Sequence, residues 1–247
     1  MGTRPRTRAI SRTVCIRMIE RDSPLQSLTP MLRLLHLVSP ALPLGAYAYS
    51  QGLEYAVHAG WVTDECAAHH WIAGLSRGAV GTLDLPILAR LHRAWGCEDL
   101  AAVEHWSAQL LAARESAELR AEERHLGRAL ARILIELGLA EAACWNDHRA
   151  TWATLFSLAA VRWGIGEPET LSGYLWAWTE NQVLAAIKLV PLGQSAGQRL
   201  LRTLSNAMPQ IVQRALASAD DAIAISTPAQ ALACSLHEAQ YTRLFRS

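Results

Sequence analysis

Glu122-Glu-Arg-His-Leu-Gly-Arg-Ala-Leu-Ala-Arg-Ile-Leu-Ile-Glu-Leu-Gly138 decides the fold class. Leu126, Leu130, Ile133, Leu134 and Leu137 fall at i, i+4, i+7, i+8 and i+11, one apolar stripe of a 3.6-residue helix. Glu122, Glu123, Arg124, Arg128 and Arg132 are read as lying largely on the other, polar side. Gly138 supplies a stop, because glycine takes the left-handed conformation that closes a helix. The same period recurs on both sides of this stretch. It predicts helices over 31–38, 50–59 and, with Thr63 as cap, from 64 onward; then over 84–95 and 99–115. Asn146 or Asp147 is expected to cap a helix reaching Trp163, and Pro168 to open one running to Val190. The stretch 193–217 reads as helical with Pro209 kinking or splitting it, 220–226 as a break, and Pro228 as the start of a last helix. Period-2 runs of β-branched and aromatic residues are nearly absent. The expectation is an all-α fold of about ten helices in a single domain, joined by short links.

Composition agrees with that class. The chain has 247 residues, of which 51% are hydrophobic and 18% charged, enough apolar area to offset the entropy of ordering. The formal net charge of +1 excludes a broad nucleic-acid footprint. Five cysteines without a CxxC pair argue against a secreted disulfide framework or a structural zinc module. No run of uncharged apolar residues is long enough to span a membrane. Residues 1–29 differ from the rest: Arg4, Arg6, Arg8, Arg12, Arg17 and Arg21 face only Glu20 and Asp22. They read as an Arg-rich leader or an early start, with Met18 and Met31 as alternatives. The expected domain is then 30–247. Lys188 is the sole lysine, and so the one flexible ammonium on a chain otherwise basic through arginine.

Three segments carry functional information. Ser39-Pro-Ala-Leu-Pro-Leu-Gly-Ala-Tyr-Ala-Tyr-Ser50-Gln-Gly-Leu-Glu54 fixes a loop with two prolines and a glycine beside Tyr47, Tyr49, Ser50 and Glu54, a setting in which binding residues concentrate. Lys188-Leu-Val-Pro-Leu-Gly-Gln194 is a second such punctuation. The third is His237-Glu-Ala-Gln-Tyr241-Thr-Arg243-Leu-Phe-Arg-Ser247. Arg243 and Arg246 flank Leu244 and Phe245 at a chain end, which suggests a segment that orders on a partner. His237 and Glu238 belong to that 228–247 tail, and His237 is expected to contact the partner.

With Asp84-Leu-Pro86, Arg114-Glu115 and Glu118-Leu-Arg-Ala-Glu-Glu123, these motifs occur in the order found in the UreF family of urease accessory proteins. Residues 31–247 resemble that family, with two departures, Ala239 for a usual threonine and Leu236 for a common basic residue. The resemblance implies a non-catalytic, cytoplasmic, all-α homodimer that binds UreD (also called UreH), recruits the GTPase UreG, and helps deliver nickel to apo-urease. It implies no stably bound cofactor, with nickel only in transit. It assigns Glu54 to control of the GTPase step, Lys188 to contact with UreG, the Ala46 to Ser50 loop to the UreG-facing surface, and the 241–247 tail to UreD.

Other chemistries are weaker. Cys66, His69 and His70 form a candidate metal cluster, since one of the histidines shares a helical face with Cys66. His36 and His58 read as structural. The acids and arginines of 114–124 read as a solvated or interface face rather than a ligand ladder. GxxxxGK[ST] and HExxH are absent from the sequence. A generic helical adaptor unrelated to nickel is the alternative reading, and the loop and tail motifs together are what a generic bundle would not need.

Overall fold

Ser116 shows how local chemistry sets the helices. Its side chain accepts the Leu119 N–H at 3.1 Å and caps α6, Ala117–Glu136, the helix that carries the Leu126 stripe. Gly138, at φ +91°, ends it as expected. The structure is a computed structural model that describes residues 28–147, 149–223 and 227–246. The Arg-rich leader lies outside these residues except for its last two positions, as do parts of the expected 220–226 break and Ser247.

In chain order the helices are α1 (Leu28–Leu37), α2 (Leu53–His58), α3 (Glu65–Leu75), α4 (Leu85–Gly96), α5 (Leu100–Ala113), α6, α7 (Trp152–Arg162), α8 (Glu167–Leu189), α9 (Gln194–Ser205), α10 (Met208–Leu216) and α11 (Pro228–His237). The described residues contain no strand. This is the all-α architecture expected. Pro209 splits the 193–217 stretch into α9 and α10, and Pro168 and Pro228 sit in the first turns they were expected to open.

Several boundaries differ. Asp64, not Thr63, caps α3, accepting the Ala67 N–H at 2.8 Å. The helix expected from 64 onward and the one expected over 84–95 are joined without interruption by a π-helical segment, Ser76–Asp84. Residues Ala140–Trp145 form 3-10 turns, so α7 starts at Trp152 with Thr151 as its cap rather than Asn146 or Asp147. Gly127 accounts for that last boundary. A Cβ there would lie 2.7 Å from the Thr151 carbonyl carbon, so only glycine lets α6 touch the entrance to α7.

The core is built on α4, where Leu85, Ile87, Leu88, Ala89 and Leu91 are all fully buried. α5, α7, α8 and α10 pack around it. α6 covers α7, α9 covers α8 and α3, and α11 lies on α2 and α6. Each buried leucine contributes about 1.5–3 kcal/mol, so this central helix is a large part of the stabilising area. Among the described residues, no helix is long and apolar enough to cross a membrane.

Candidate functional site

Gly52 brings the first functional side chain into place. Its φ is +86°, and a Cβ there would meet Ala233 Cβ at 3.0 Å and Cys234 Sγ at 3.1 Å. Both facts require glycine, and together they seat the start of α2 directly on α11. Glu54 follows in the first turn of α2, buried, with its N–H donating to Ser50 Oγ at 3.2 Å.

The Glu54 carboxylate holds the end of the chain. Its Oε1 accepts the Leu244 N–H at 2.6 Å, and its Oε2 accepts the Phe245 N–H at 2.8 Å. Oε2 also lies 3.1 Å from His237 Nε2. The other ring nitrogen, Nδ1, is 2.8 Å from Glu118 Oε2, and Arg243 Nη1 donates to Glu118 Oε1 at 2.9 Å. Two further contacts fasten the segment. The Arg246 N–H donates to the Ala48 carbonyl at 2.7 Å, and Glu238 Oε1 accepts the Ala117 N–H at 2.9 Å at the start of α6. Charge-assisted bonds of this kind are stronger than neutral ones, and here they converge on main-chain donors that would otherwise be solvated.

The tail is therefore folded onto the body, not a free end. His237, expected to meet a partner, is wholly buried between two carboxylates, and Phe245 is only 6% exposed. The reason is that Glu54, 190 residues earlier, supplies acceptors for two consecutive N–H groups. The opposite side of the tail faces outward: Tyr241 and Leu244 are fully and two-thirds exposed, and Arg243 and Arg246 are exposed as well.

Lys188 joins this cluster. Its Nζ sits 5.6 Å from the Phe245 ring centroid and 6.0 Å from that of Tyr47, within cation–π range of both. Asn181 Nδ2 donates to the Tyr49 carbonyl at 3.1 Å. Burial pushes the Tyr49 hydroxyl up, and a hydrogen bond with Arg246 opposes it. So the loop, Lys188 and the tail meet in one place. Gln194 opens α9 as an exposed residue and makes none of these contacts.

A second buried polar site lies behind the first. Arg114 bonds to both Asp84 and Glu123, all three nearly inaccessible. Glu123 Oε2 accepts the Trp152 N–H at 3.1 Å, at the N-terminus of α7, where a carboxylate is favoured. Burial pushes the Asp84 carboxyl up to about 6, with Glu123 adding to the effect and Arg114 opposing it. Burial pulls Arg114 down, but the two carboxylates outweigh it and hold the guanidinium charged. Gln51 links this interior to the loop: its Nε2 donates to Glu122 at 2.9 Å, and its Oε1 accepts from Trp178 Nε1 at 2.8 Å.

Part of 114–124, read as a solvated or interface face, lies inside the fold instead. Glu122 and Glu123 are buried, and Glu118 is nearly so. The signal was present: Glu122 stands one turn before Leu126, and so on the core stripe. Of the candidate metal cluster, the structure brings Cys66 and His70 together on α3. Cys66 Sγ is 3.8 Å from His70 Nδ1 on an exposed turn of α3, and His69 meets His70 edge-on with ring centroids 5.7 Å apart. Among the described residues, no group of three or more His, Cys, Asp or Glu side chains could hold a metal ion. His36 stacks on Trp163 at 6.4 Å and His58 meets Tyr55 at 6.2 Å, ring contacts that suit structural roles.

Fold and site define an all-helical protein whose most elaborate polar site clamps its own C-terminal segment. Comparison with known proteins gives the family. A family model described as UreF matches residues 62–205. A urease accessory protein UreF from Alkalilimnicola ehrlichii is 53% identical over 216 residues, covering 87% of this chain and 95% of the relative. Those of Alcanivorax borkumensis and Teredinibacter turnerae are 47% and 46% identical, covering 87% and 88% of this chain and 97% and 98% of the relatives. The chain belongs to the UreF family. The loop and tail that form the clamp lie outside the segment matched by the family model.

Proposed function

We propose that this protein is a non-enzymatic urease maturation factor. It works as a cytoplasmic homodimeric scaffold that joins UreD (UreH) to the GTPase UreG and couples GTP hydrolysis to the delivery of nickel into apo-urease. Nickel is cargo here, not a resident cofactor. The observation that carries this reading is the convergence of the 39–54 loop, Lys188 and the tail on one surface, built around Glu54. One surface made from three distant segments suits a protein whose work is to sense one partner and present a face to another.

Each element has a physical role in that scheme. The exposed side of the tail, Tyr241 and Leu244 with Arg243 and Arg246, offers UreD an apolar patch edged by guanidinium groups. Lys188 is an exposed point charge beside two aromatic rings, suited to an acidic surface on UreG and to steering its approach. Glu54 ties the two together, because the contacts it makes decide where the tail lies.

The test is co-expression of this chain with its cognate UreD and UreG, purification through a tag on UreD, and mass measurement by light scattering. The proposal expects a two-fold assembly containing all three. A chain that never co-purifies would overturn it in favour of an adaptor unrelated to nickel.

A further inference from the structure

Arg120, Arg124, Arg128 and Arg132 recur at every fourth residue along α6. That spacing sets them one above another on a single ridge of the helix, about 18 Å long. Like charges one turn apart repel, so three such pairs in succession oppose the helix rather than support it. The ridge emerges from the fold along its length. Arg120 and Arg124 are partly exposed, and Arg128 and Arg132 are exposed. Arg120 is held at the helix start, where it donates to the Arg114 carbonyl at 2.6 Å. Arg128 and Arg132 form no ion pair among the described residues, although Glu136 stands one turn beyond Arg132.

The docked tail brings a further guanidinium to this ridge. Glu238 accepts the Ala117 N–H and Arg243 donates to Glu118, so the segment crosses the first turn of α6. Tyr49 lies against His125 of α6, with ring centroids 6.0 Å apart, and its hydroxyl is hydrogen-bonded to Arg246. Burial, then Arg246, Arg128 and Arg132, hold the His125 imidazole below its ordinary value, so the charges of tail and helix act on one place. From this geometry we infer that Arg128, Arg132 and Arg246 form one basic strip that binds a row of carboxylates on a protein partner, the same partner that covers the outward side of the tail.

Charge and continuity select that occupant. A guanidinium presents a planar fork that pairs with a carboxylate through two bonds at once. Arg246 belongs to the same tail whose Tyr241 and Leu244 face outward, so the strip edges an apolar patch with charge, the composition of a protein interface. The formal net charge of +1 makes the strip a local feature, not part of a wide basic face for a nucleic acid. Charges at the edge of an interface govern the rate of encounter more than the strength of the final complex. The strip therefore acts on association and on its dependence on salt. The inference rests on the proposed function in naming UreD as the partner.

Surface plasmon resonance of the full chain on immobilised UreD, in low and high salt, tests the strip with the Arg128→Gln, Arg132→Gln double variant. Both side chains are exposed, so helical content should match that of the unaltered chain. At low salt the variant is expected to associate about tenfold more slowly, and its rate should fall less steeply as salt is added. Arg202→Gln, which removes an exposed arginine on α9, should associate like the unaltered chain. Equal rates for the unaltered chain and the double variant would overturn the strip alone, and so would an equal loss in Arg202→Gln. An unaltered chain that UreD does not capture would overturn the proposed function and the strip together. Vesicles containing phosphatidylserine supply the remaining arm. If the double variant loses binding to them while UreD captures it at the full rate, the strip belongs to a membrane surface and the inference is overturned.

Discussion

Replacing Glu54 with alanine should release the tail while leaving the helical body folded. The side chain accepts from Leu244, Phe245 and His237 at 2.6, 2.8 and 3.1 Å. Hydrogen bonds to a charged group are worth about 1.5–3 kcal/mol each, so the two main-chain bonds alone amount to about 3 kcal/mol at the low end. That is about 150-fold in the population of the released tail, at 1.4 kcal/mol per tenfold. The helices of the core make no use of these bonds, and helical content should not change. The assay is limited trypsin digestion at the Arg243–Leu244 bond, followed by intact mass under native conditions. Cleavage there requires the segment to open, so the rate tracks the open population when opening is fast. Glu54→Ala should be cut about 100-fold faster than the unaltered chain. Glu54→Gln, which keeps a carbonyl oxygen as acceptor, should fall between the two. A Glu54→Ala rate within about threefold of the unaltered chain, with the same helical content, would refute the clamp.

Other perturbations probe the rest of the account. The Asp84 carboxyl is pushed up by burial to about 6, so in the folded chain it holds a proton that the unfolded chain gives up nearer 4. Its contribution is full below about pH 4 and is lost as the pH rises through about 6; Asp84→Asn should flatten melting temperature against pH in that window. Gly127→Ala would place a Cβ 2.7 Å from the Thr151 carbonyl carbon and should cost on the order of 1–3 kcal/mol in urea denaturation. Lys188→Ala leaves the Glu54 bonds in place, so it should weaken recruitment of UreG in a pull-down while sparing capture by UreD.

Helix type and number were legible because stripes such as Leu126, Leu130 and Leu134 are local and strong, and because Pro168, Pro209, Pro228 and Gly138 mark boundaries by fixed backbone chemistry. The π-helical segment at Ser76–Asp84 was not, since a turn widened by one residue has no sequence mark as plain as a proline. The start of α7 lies beyond the expected caps, Asn146 or Asp147, because the deciding contact, Gly127 against Thr151, is tertiary. Glu122 and Glu123 were misjudged because their charge outweighed their position on the Leu126 stripe. In the site, the loop, Lys188 and the tail stood out separately by their odd composition and by family resemblance. Their meeting did not. Glu54 and Phe245 are joined across 191 positions, and no local pattern says which carboxylate a chain end will find.

The central claim is that the outward side of the docked tail is a partner-binding surface. Tyr241 and Leu244 make it testable without disturbing the clamp, because neither side chain is buried and Glu54 binds the Leu244 main chain only. The measurement is capture of the Tyr241→Ala, Leu244→Asp double variant on immobilised UreD, alongside its rate of cleavage at Arg243. The account expects an unchanged cleavage rate and a loss of capture of at least about tenfold, as for truncating central interface residues. Full-strength capture with the tail still docked would contradict it.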